Sequence, residues 1–461
     1  MTISNYTRVV LILTALATAG QLEAQVDLAT PESETEDQTE AAPFPELPPG
    51  APVQIHPDEG SLLGGEISAP FYIGRRLQLS ASIDGGYDDN VLTLPNGSPS
   101  WFANPNAILS YQFGSARLAL DLLAHGGIIY YFDHPGGLNY DPVLSLEFSL
   151  AYKVTPRLIL DFSTTSFYGA QPDITTALSS TRRLGNYISS ENRLAAHYRL
   201  SPRLSSVTGY AFYALEYENS AASSRDRMQH IFSEQLRYLL MPTTTVLGGY
   251  RFSLNESQNA QGGSTTQSLF AGLEQSFSPR LRATLRAGTQ FRSQNNAEQI
   301  SPYVETSLIY ELGSQGSTTS RLSGRLSGAR TSGAGTYIIW TTGYSLEESD
   351  LQRAAGRETF RTNLALNVAM TARISASLAL SYSHGDNQSS NQSRSPRGSS
   401  NEETFGISPS VRYAITPRCS VNVGYSYANV NRGSGAAALD AFQSFNSYTR
   451  NRYFAGATIS F

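Results

Sequence analysis

Period-two alternation, sustained with few interruptions from residue 71 to residue 461, most narrows what this chain can fold into. In 143–154, Leu144, Leu146, Phe148, Leu150 and Tyr152 share one face, and Ser145, Glu147, Ser149, Ala151 and Lys153 the other. In 373–384, Ile374, Ala376, Leu378, Leu380 and Tyr382 oppose Arg373, Ser375, Ser377, Ala379 and Ser381. Val421, Val423, Tyr425 and Tyr427 oppose Ser420, Asn422, Gly424 and Ser426. Successive strand residues point to opposite faces, so each segment reads as a β-strand with one apolar and one small, polar face.

Short breaks punctuate the alternation: GSAR at 114–117, TPR at 155–157, SPR at 201–203, MPT at 241–243, SPR at 278–280, GSQGS at 313–317, TAR at 371–373 and TPR at 416–418. Gly and Pro in two- or three-residue breaks are tight-turn signals. Between successive breaks lie a strand, a long Gly/Ser/Asn-rich loop and a second strand. Short turns on one side and long polar loops on the other are the asymmetry of an outer-membrane barrel.

A soluble sandwich would put more Lys and Glu on its wetted face. This chain has 15% charged residues, and Lys153 is its one lysine. Some 400 residues of soluble strands would also divide into domains, and no linker interrupts 71–461. The expected fold is all-β: a transmembrane antiparallel up-and-down barrel. Eight inner turns give 18 strands, with 16 as the alternative. The weakest stretch is 318–371. RLSGRLSGAR is read there as opening a strand paired with ETFRTNLALNVAM. TYIIWTTGYSLEES between them is read as an overlong strand or a folded-in constriction loop.

The N-terminus assigns the compartment. Residues 1–24 form a signal peptide, with Arg8 before the apolar run VVLILTALATAG and cleavage after Ala24. Residues 25–70 read as a disordered, acidic, Pro-rich periplasmic tail. Its spacer role competes with docking of a basic periplasmic partner. Between 25 and 74 there are ten acids and no Lys or Arg, so 75–461 carries 32 bases against 27 acids. A positive body follows a negative tail. The single cysteine, Cys419, excludes an intrachain disulfide framework.

At the other end, Tyr453, Ala455, Ala457, Ile459 and Phe461 alternate with Arg452, Phe454, Gly456, Thr458 and Ser460. This strand is expected to close the barrel against the first. Tyr453, Ile459 and Phe461 resemble the assembly signal that the outer-membrane insertion machinery reads. Near the first strand stand Tyr87, Asp88, Asp89, Asn90 and Val91, followed by an Asn/Pro stretch, two strands and TPR-like turns. The pattern resembles the β-barrel porin type 2 family of bacterial outer-membrane proteins over essentially all of 71–461. The resemblance implies an outer-membrane barrel, with an association with exopolysaccharide export in some members, and no catalytic residues. Asp88, Asp89 and Asn90 are read as a hydrated strand-end turn in preference to a Ca²⁺ site.

Candidate chemistry is sparse. His56, His125, His134, His197, His230 and His384 lack metal-ligand spacing, and no nucleophile is placed beside a base. No catalytic residue, cofactor, metal or nucleic-acid partner is expected, and the chain is not read as an enzyme. In 280–292, Arg280, Arg282, Arg286 and Arg292 share a face with Thr284 and Gln290. Leu281, Ala283, Leu285, Ala287 and Phe291 share the other. Arg facing lipid near the midplane costs about 2–4 kcal/mol, so the Arg face belongs to the lumen. Arg321, Arg325 and Arg361 extend the set. They read either as a basic pore wall or as a structural ladder paired with Glu147, Asp161, Glu216 and Glu274. Three functional readings remain: a porin-like channel for small solutes, anionic or saccharide; an exopolysaccharide export conduit with a periplasmic partner; and a structural or adhesive surface barrel. All three place the chain among outer-membrane lipids.

Overall fold

The computed structural model describes residues 74–173, 181–219, 222, 225–257, 263–294, 297–312, 336–348, 354–389, 400–433 and 447–461. The segments expected to be signal peptide and acidic tail lie outside them, as do Arg321 and Arg325. Eighteen antiparallel strands, β1 (Gly74–Asp88), β2 (Ser100–Gly114), β3 (Leu118–Tyr131), β4 (Tyr140–Thr155), β5 (Leu158–Gly169), β6 (Tyr187–Arg199), β7 (Leu204–Tyr217), β8 (Arg227–Met241), β9 (Thr244–Ser257), β10 (Ser264–Ser278), β11 (Leu281–Gln294), β12 (Ala297–Leu312), β13 (Thr336–Glu347), β14 (Ala354–Ala369), β15 (Ile374–Ser389), β16 (Ser400–Thr416), β17 (Cys419–Arg432) and β18 (Tyr448–Ser460), pair with their sequence neighbours, and β1 also pairs with β18. The ring is therefore closed. The seam runs from Ser80↔Ser460 to Asp88↔Arg452. Closure leaves no sheet edge to satisfy in lipid. The strands have 12 to 17 residues; about 9–11 tilted residues span a bilayer, so they project beyond it.

Seven of the eight breaks fall at the joints β2–β3, β4–β5, β6–β7, β8–β9, β10–β11, β14–β15 and β16–β17; the eighth, GSQGS at 313–317, lies outside the described residues. The S/T-P-R pattern has a local cause. Thr155 Oγ1 accepts the N–H of Leu158 at 3.0 Å, and Ser201, Ser278, Thr371 and Thr416 do the same three residues on. Proline, where present, presets φ at the next position while the hydroxyl holds the turn shut. Several of these turns also carry a register shift on the preceding strand, as at Lys153/Thr155 and Ser276/Ser278. That is the bulged form of a short hairpin.

One segment differs from the sequence expectation. TYIIWTTGYSLE is neither an overlong extension nor a loop: it is β13 itself (Thr336–Glu347), paired with β12 (Ala297–Leu312) and β14 (Ala354–Ala369). RLSGRLSGAR, expected to open that strand, lies outside the described residues. The alternation of Ile339, Thr341 and Gly343 with Ile338, Trp340 and Thr342 already satisfies a spanning strand, so the count of 18 stands.

The molecule is polar inside and apolar outside. On β1, Leu77, Leu79 and Ile83 are 67%, 47% and 59% exposed, while Ser80, Asp84 and Asp88 on the other face are buried. On β18 the exposed set is Tyr453, Ala455, Ala457 and Ile459, and Arg452, Phe454 and Thr458 face inward. Exposed Trp101, Tyr140, Tyr152, Tyr198, Tyr238, Tyr413 and Tyr453 supply aromatic positions toward both ends of the belt. An outward apolar band with aromatic girdles is the surface of a membrane barrel.

Candidate pore constriction and lumen wall

The Arg face of β11 (Leu281–Gln294) is inward over most of its length. Arg286 and Arg292 are 4% and 3% exposed, beside Gln290. Each has carboxylate company. Arg286 Nη1 lies 3.0 Å from Glu305 Oε1, and its Nη2 3.9 Å from Glu274 Oε1. Arg237 of β8 (Arg227–Met241) also reaches Glu274. Arg292 meets Glu348 at 2.7 Å and donates to the Glu347 carbonyl at 3.2 Å. Arg361 of β14 binds Glu347 through both terminal nitrogens, at 2.9 and 3.2 Å. Of the carboxylates expected as partners, Glu274 is in place; Glu305, Glu347 and Glu348 were not anticipated. The ladder is also split. Arg282 is exposed near the turn end of β11, and Arg280 sits in the turn, its N–H donating to Ser278 Oγ at 3.2 Å.

The second set lies at the long-loop end. Between β5 (Leu158–Gly169) and β6 (Tyr187–Arg199) the described residues turn inward. These residues, 170–173 and 181–186, reach partners on β3, β4, β17 and β18 and at Thr93 between β1 and β2. Arg183 grips Asp141 of β4 (Tyr140–Thr155) through both terminal nitrogens, Nη1 to Oδ2 at 2.6 Å. Arg182 donates to the Thr93 carbonyl at 3.0 Å, and the Arg183 N–H to Thr93 Oγ1 at 3.1 Å. From the far side, Tyr448 Oη donates to the Thr181 carbonyl at 2.5 Å, and Arg432 to Thr181 Oγ1 at 2.9 Å. Gln171 donates to Tyr131 Oη and Asp141 Oδ2, and accepts from Arg450 at 2.8 Å. Residues of β3, β4, β17 and β18 are thus tied to one strap inside the barrel mouth.

The strap is part of a charged collar. Arg450 binds Asp88, Arg357 lies 3.3 Å from Glu402, Arg432 also contacts Glu402, and Arg452 stacks 4.0 Å over the Phe102 ring. Arg182, Arg183, Arg357, Arg432, Arg450 and Arg452 make six guanidinium groups. Four buried carboxylates stand against them: Asp88, Asp141, Asp173 and Glu402. These ten groups sum to a net positive charge, buried where fixed charges act strongly on a passing ion.

The YDDNV segment is not a hydrated turn. Asp88 and Asn90 are 0% and 2% exposed. Asp88 turns inward to Arg450, while Asp89 accepts both the N–H and the side-chain amide of Asn451 at 2.6 Å. Asn90 bridges to the Leu94 and Thr449 carbonyls at 2.7 and 2.8 Å. Val91 packs with Phe102, Ile129, Tyr131 and Phe454. Tyr87 faces outward against Trp101, ring centroids 5.3 Å apart. The acidic pair diverges to opposite sides of the sheet and clasps the first strand to the last. Phe461, 69% exposed, donates its N–H to the Leu79 carbonyl at 2.8 Å on the same seam.

The collar was not picked out from sequence. Arg450 and Arg452 at alternate positions of the last strand, and the RR pair at 182–183 in a loop, were the available signals. Neither indicates which distant carboxylate it meets.

A family described as surface lipoprotein assembly modifier matches residues 159–307, from β5 into β12, about a third of the chain. The match is not to the porin type 2 family that the first-strand motif resembles, so that resemblance holds at the level of an outer-membrane β-barrel. No curated protein matches. Among solved structures, OpdK of Pseudomonas aeruginosa with vanillate is 12% identical, with a TM-score of 0.41 over 84% of this chain and 99% of that one. OccK2 (OpdF) of the same organism, in complex with glucuronate, is 11% identical, with a TM-score of 0.40 over 85% and 99%. The siderophore receptor PirA, also from Pseudomonas aeruginosa, is 10% identical, with a TM-score of 0.39 over 85% and 81%. What the chain shares with an outer-membrane barrel is its own closed, inside-out ring of 18 strands.

Proposed function

We propose that this protein is an outer-membrane channel that passes small polar solutes, anionic or saccharide, through the collar at its long-loop end. The observation that carries this reading is the collar itself: six arginines and four carboxylates gathered inside a barrel whose outer surface is apolar. Arg guanidinium groups remain charged at any working pH and hold carboxylates bidentately. Their surplus favours anions, and salt that shortens the screening length weakens the preference. An acidic polysaccharide would meet the same groups, so uronate monomers and oligomers belong in one assay. Purified protein in planar bilayers should conduct with anion selectivity that falls as salt rises. A cation-selective channel, or no conductance, would overturn the reading.

A second reading has its own observation. The match to the surface lipoprotein assembly modifier family spans 159–307 and includes the strap. On that reading the barrel handles surface lipoproteins. Loss of surface display of a lipoprotein in cells lacking this chain, with small-solute uptake unchanged, would favour it over the channel.

A further inference from the structure

At the short-turn end of the barrel, like charges stand directly opposite one another. Six short turns end in arginine: Arg117, Arg157, Arg203, Arg280, Arg373 and Arg418. Each extends a strand ladder by one step, because its carbonyl accepts the N–H of Lys153, Arg199, Leu239, Glu311, Ala414 and Ser460 respectively. Arg280 thereby faces a carboxylate, and Arg203, Arg373 and Arg418 face uncharged residues. Arg117 instead faces Lys153, one step beyond Leu118↔Tyr152, and Arg157 faces Arg199, one step beyond Leu158↔Tyr198. Directly opposed residues have Cβ atoms about 4.5–5.5 Å apart, and like charges in that position destabilise a sheet.

Alternation puts both pairs on the lumen side. Arg199 continues the inward set Glu191, Arg193 and His197 of β6, while Leu194 and Tyr198 are exposed on the outer face; Arg157 continues Ile159 and Asp161 of β5. Arg117, Arg157, Arg199 and Arg203 are exposed at the rim. Among the described residues, none of these four guanidinium groups has a partner. Asp161 stands diagonal to Lys153 in the register, so the lysine has a counter-charge at hand. From Arg157 the same carboxylate is four residues farther in along the strand, about 13 Å. The turns do not need the side chains: they close through the backbone, with the Arg157 N–H donating to Thr155 Oγ1 at 3.2 Å and the Arg203 N–H to Ser201 Oγ at 3.3 Å.

We propose that this sector of the mouth, along the rim from β3 to β7, binds a water-soluble solute carrying two or more oxyanion groups, a polycarboxylate or a phosphate ester. A guanidinium grips either group bidentately. The Arg117–Lys153 and Arg157–Arg199 pairs stand two strands apart, about 10 Å, so a solute with several anionic groups engages both pairs and a monoanion only one. The lumen-facing side keeps these groups from the lipid headgroups outside the wall. An arriving anion also relieves the repulsion built into the empty site, which neutral opposites such as Ala414 and Ser460 do not create. The site lies at the other end of the barrel from the collar and needs only solvent access, so it does not rest on the channel reading.

The test is calorimetric titration of the full chain in neutral detergent. Citrate and inorganic pyrophosphate are the probes, and sodium chloride matched in ionic strength controls for screening. Both probes should bind saturably, the tighter of the two naming the oxyanion, and acetate should not saturate. Arg157→Gln with Arg199→Gln should weaken binding roughly tenfold or more, through lost charge-assisted hydrogen bonds. The same variant should keep or raise the ligand-free thermal midpoint, because a repulsion is removed. Arg373→Gln with Arg418→Gln takes equal charge from the same rim, where the opposed residues are neutral, and should weaken binding by roughly twofold at most. No saturable binding beyond the chloride control, an equal loss in both double variants, or a lower ligand-free midpoint in the first would each overturn the proposal. In nanodiscs, citrate binding should survive the addition of phosphatidylglycerol; its loss would assign the site to lipid headgroups and overturn the soluble ligand. Conductance is not the readout, so failure here leaves the channel proposal standing.

Discussion

Replacing Arg183 with Ala should release the strap from the lumen wall without unfolding the barrel. Arg183 lies outside the strands and contributes nothing to the ladder of the ring. Its pair with Asp141 is buried, the two side chains being 9% and 1% exposed. Breaking a buried ion pair by removing one partner costs about 3–5 kcal/mol, because the other charge is left behind. Asp141 retains hydrogen bonds from Tyr131 Oη and Gln171 Nε2, both at 3.1 Å, so the lower end applies. About 3 kcal/mol corresponds to roughly a hundredfold shift between strapped and released states. Single-channel recording of Arg183→Ala should show a larger mean conductance, and heat-modified migration in gels should stay unchanged. Asp141→Ala should reproduce the effect, and the double variant should add little to either. If both single variants keep the wild-type conductance distribution, the strap does not narrow the path and the reasoning fails.

Other outcomes follow from the same geometry. Arg286→Met leaves Glu305 without its guanidinium partner in the wall, while Arg237 still holds Glu274, and should destabilise the barrel by about 3 kcal/mol, seen as a lower temperature of heat modification; an unchanged temperature would mean the Arg286–Glu305 pair is dispensable. Arg282→Glu, at the exposed turn end, should move the reversal potential under a salt gradient toward cations; an unchanged reversal potential would place Arg282 off the ion path. Asp88→Ala removes the Arg450 partner at the seam and should slow assembly and lower heat resistance, as should Gly456→Val, whose Cβ would collide with Asp84 across the seam. Burial, reinforced by Glu216 and opposed by the Tyr217 N–H, pushes the Asp226 carboxyl up to about 6. A raised folded value means its neutral form is favoured, so its contribution is full below pH 4 and is lost as pH rises through 6; the Asp226 carboxyl carbon in NMR should titrate near 6, and a midpoint near 4 would refute this.

The strands, the turns and the closure were legible in the chain because their causes are local. Alternation of Leu144, Leu146 and Phe148 with Ser145, Glu147 and Ser149 assigns faces within a few residues, and Thr155 closes its own turn on Leu158. Placing Arg286 and Arg292 inside needed only the cost of an arginine in lipid. The same local logic left β13 ambiguous, because a second candidate strand, 321–330, competed for its place. The partners were a different matter. Asp88 and Arg450 are 362 residues apart in sequence and 2.5 Å apart in space, and Arg183 reaches Asp141 only because a loop turns inward over strands that lie side by side after closure. Period-two patterning says which side of the wall a residue occupies. Which residues meet across the lumen depends on the curvature of the closed ring and the path of the loop, and these exist only in the folded barrel.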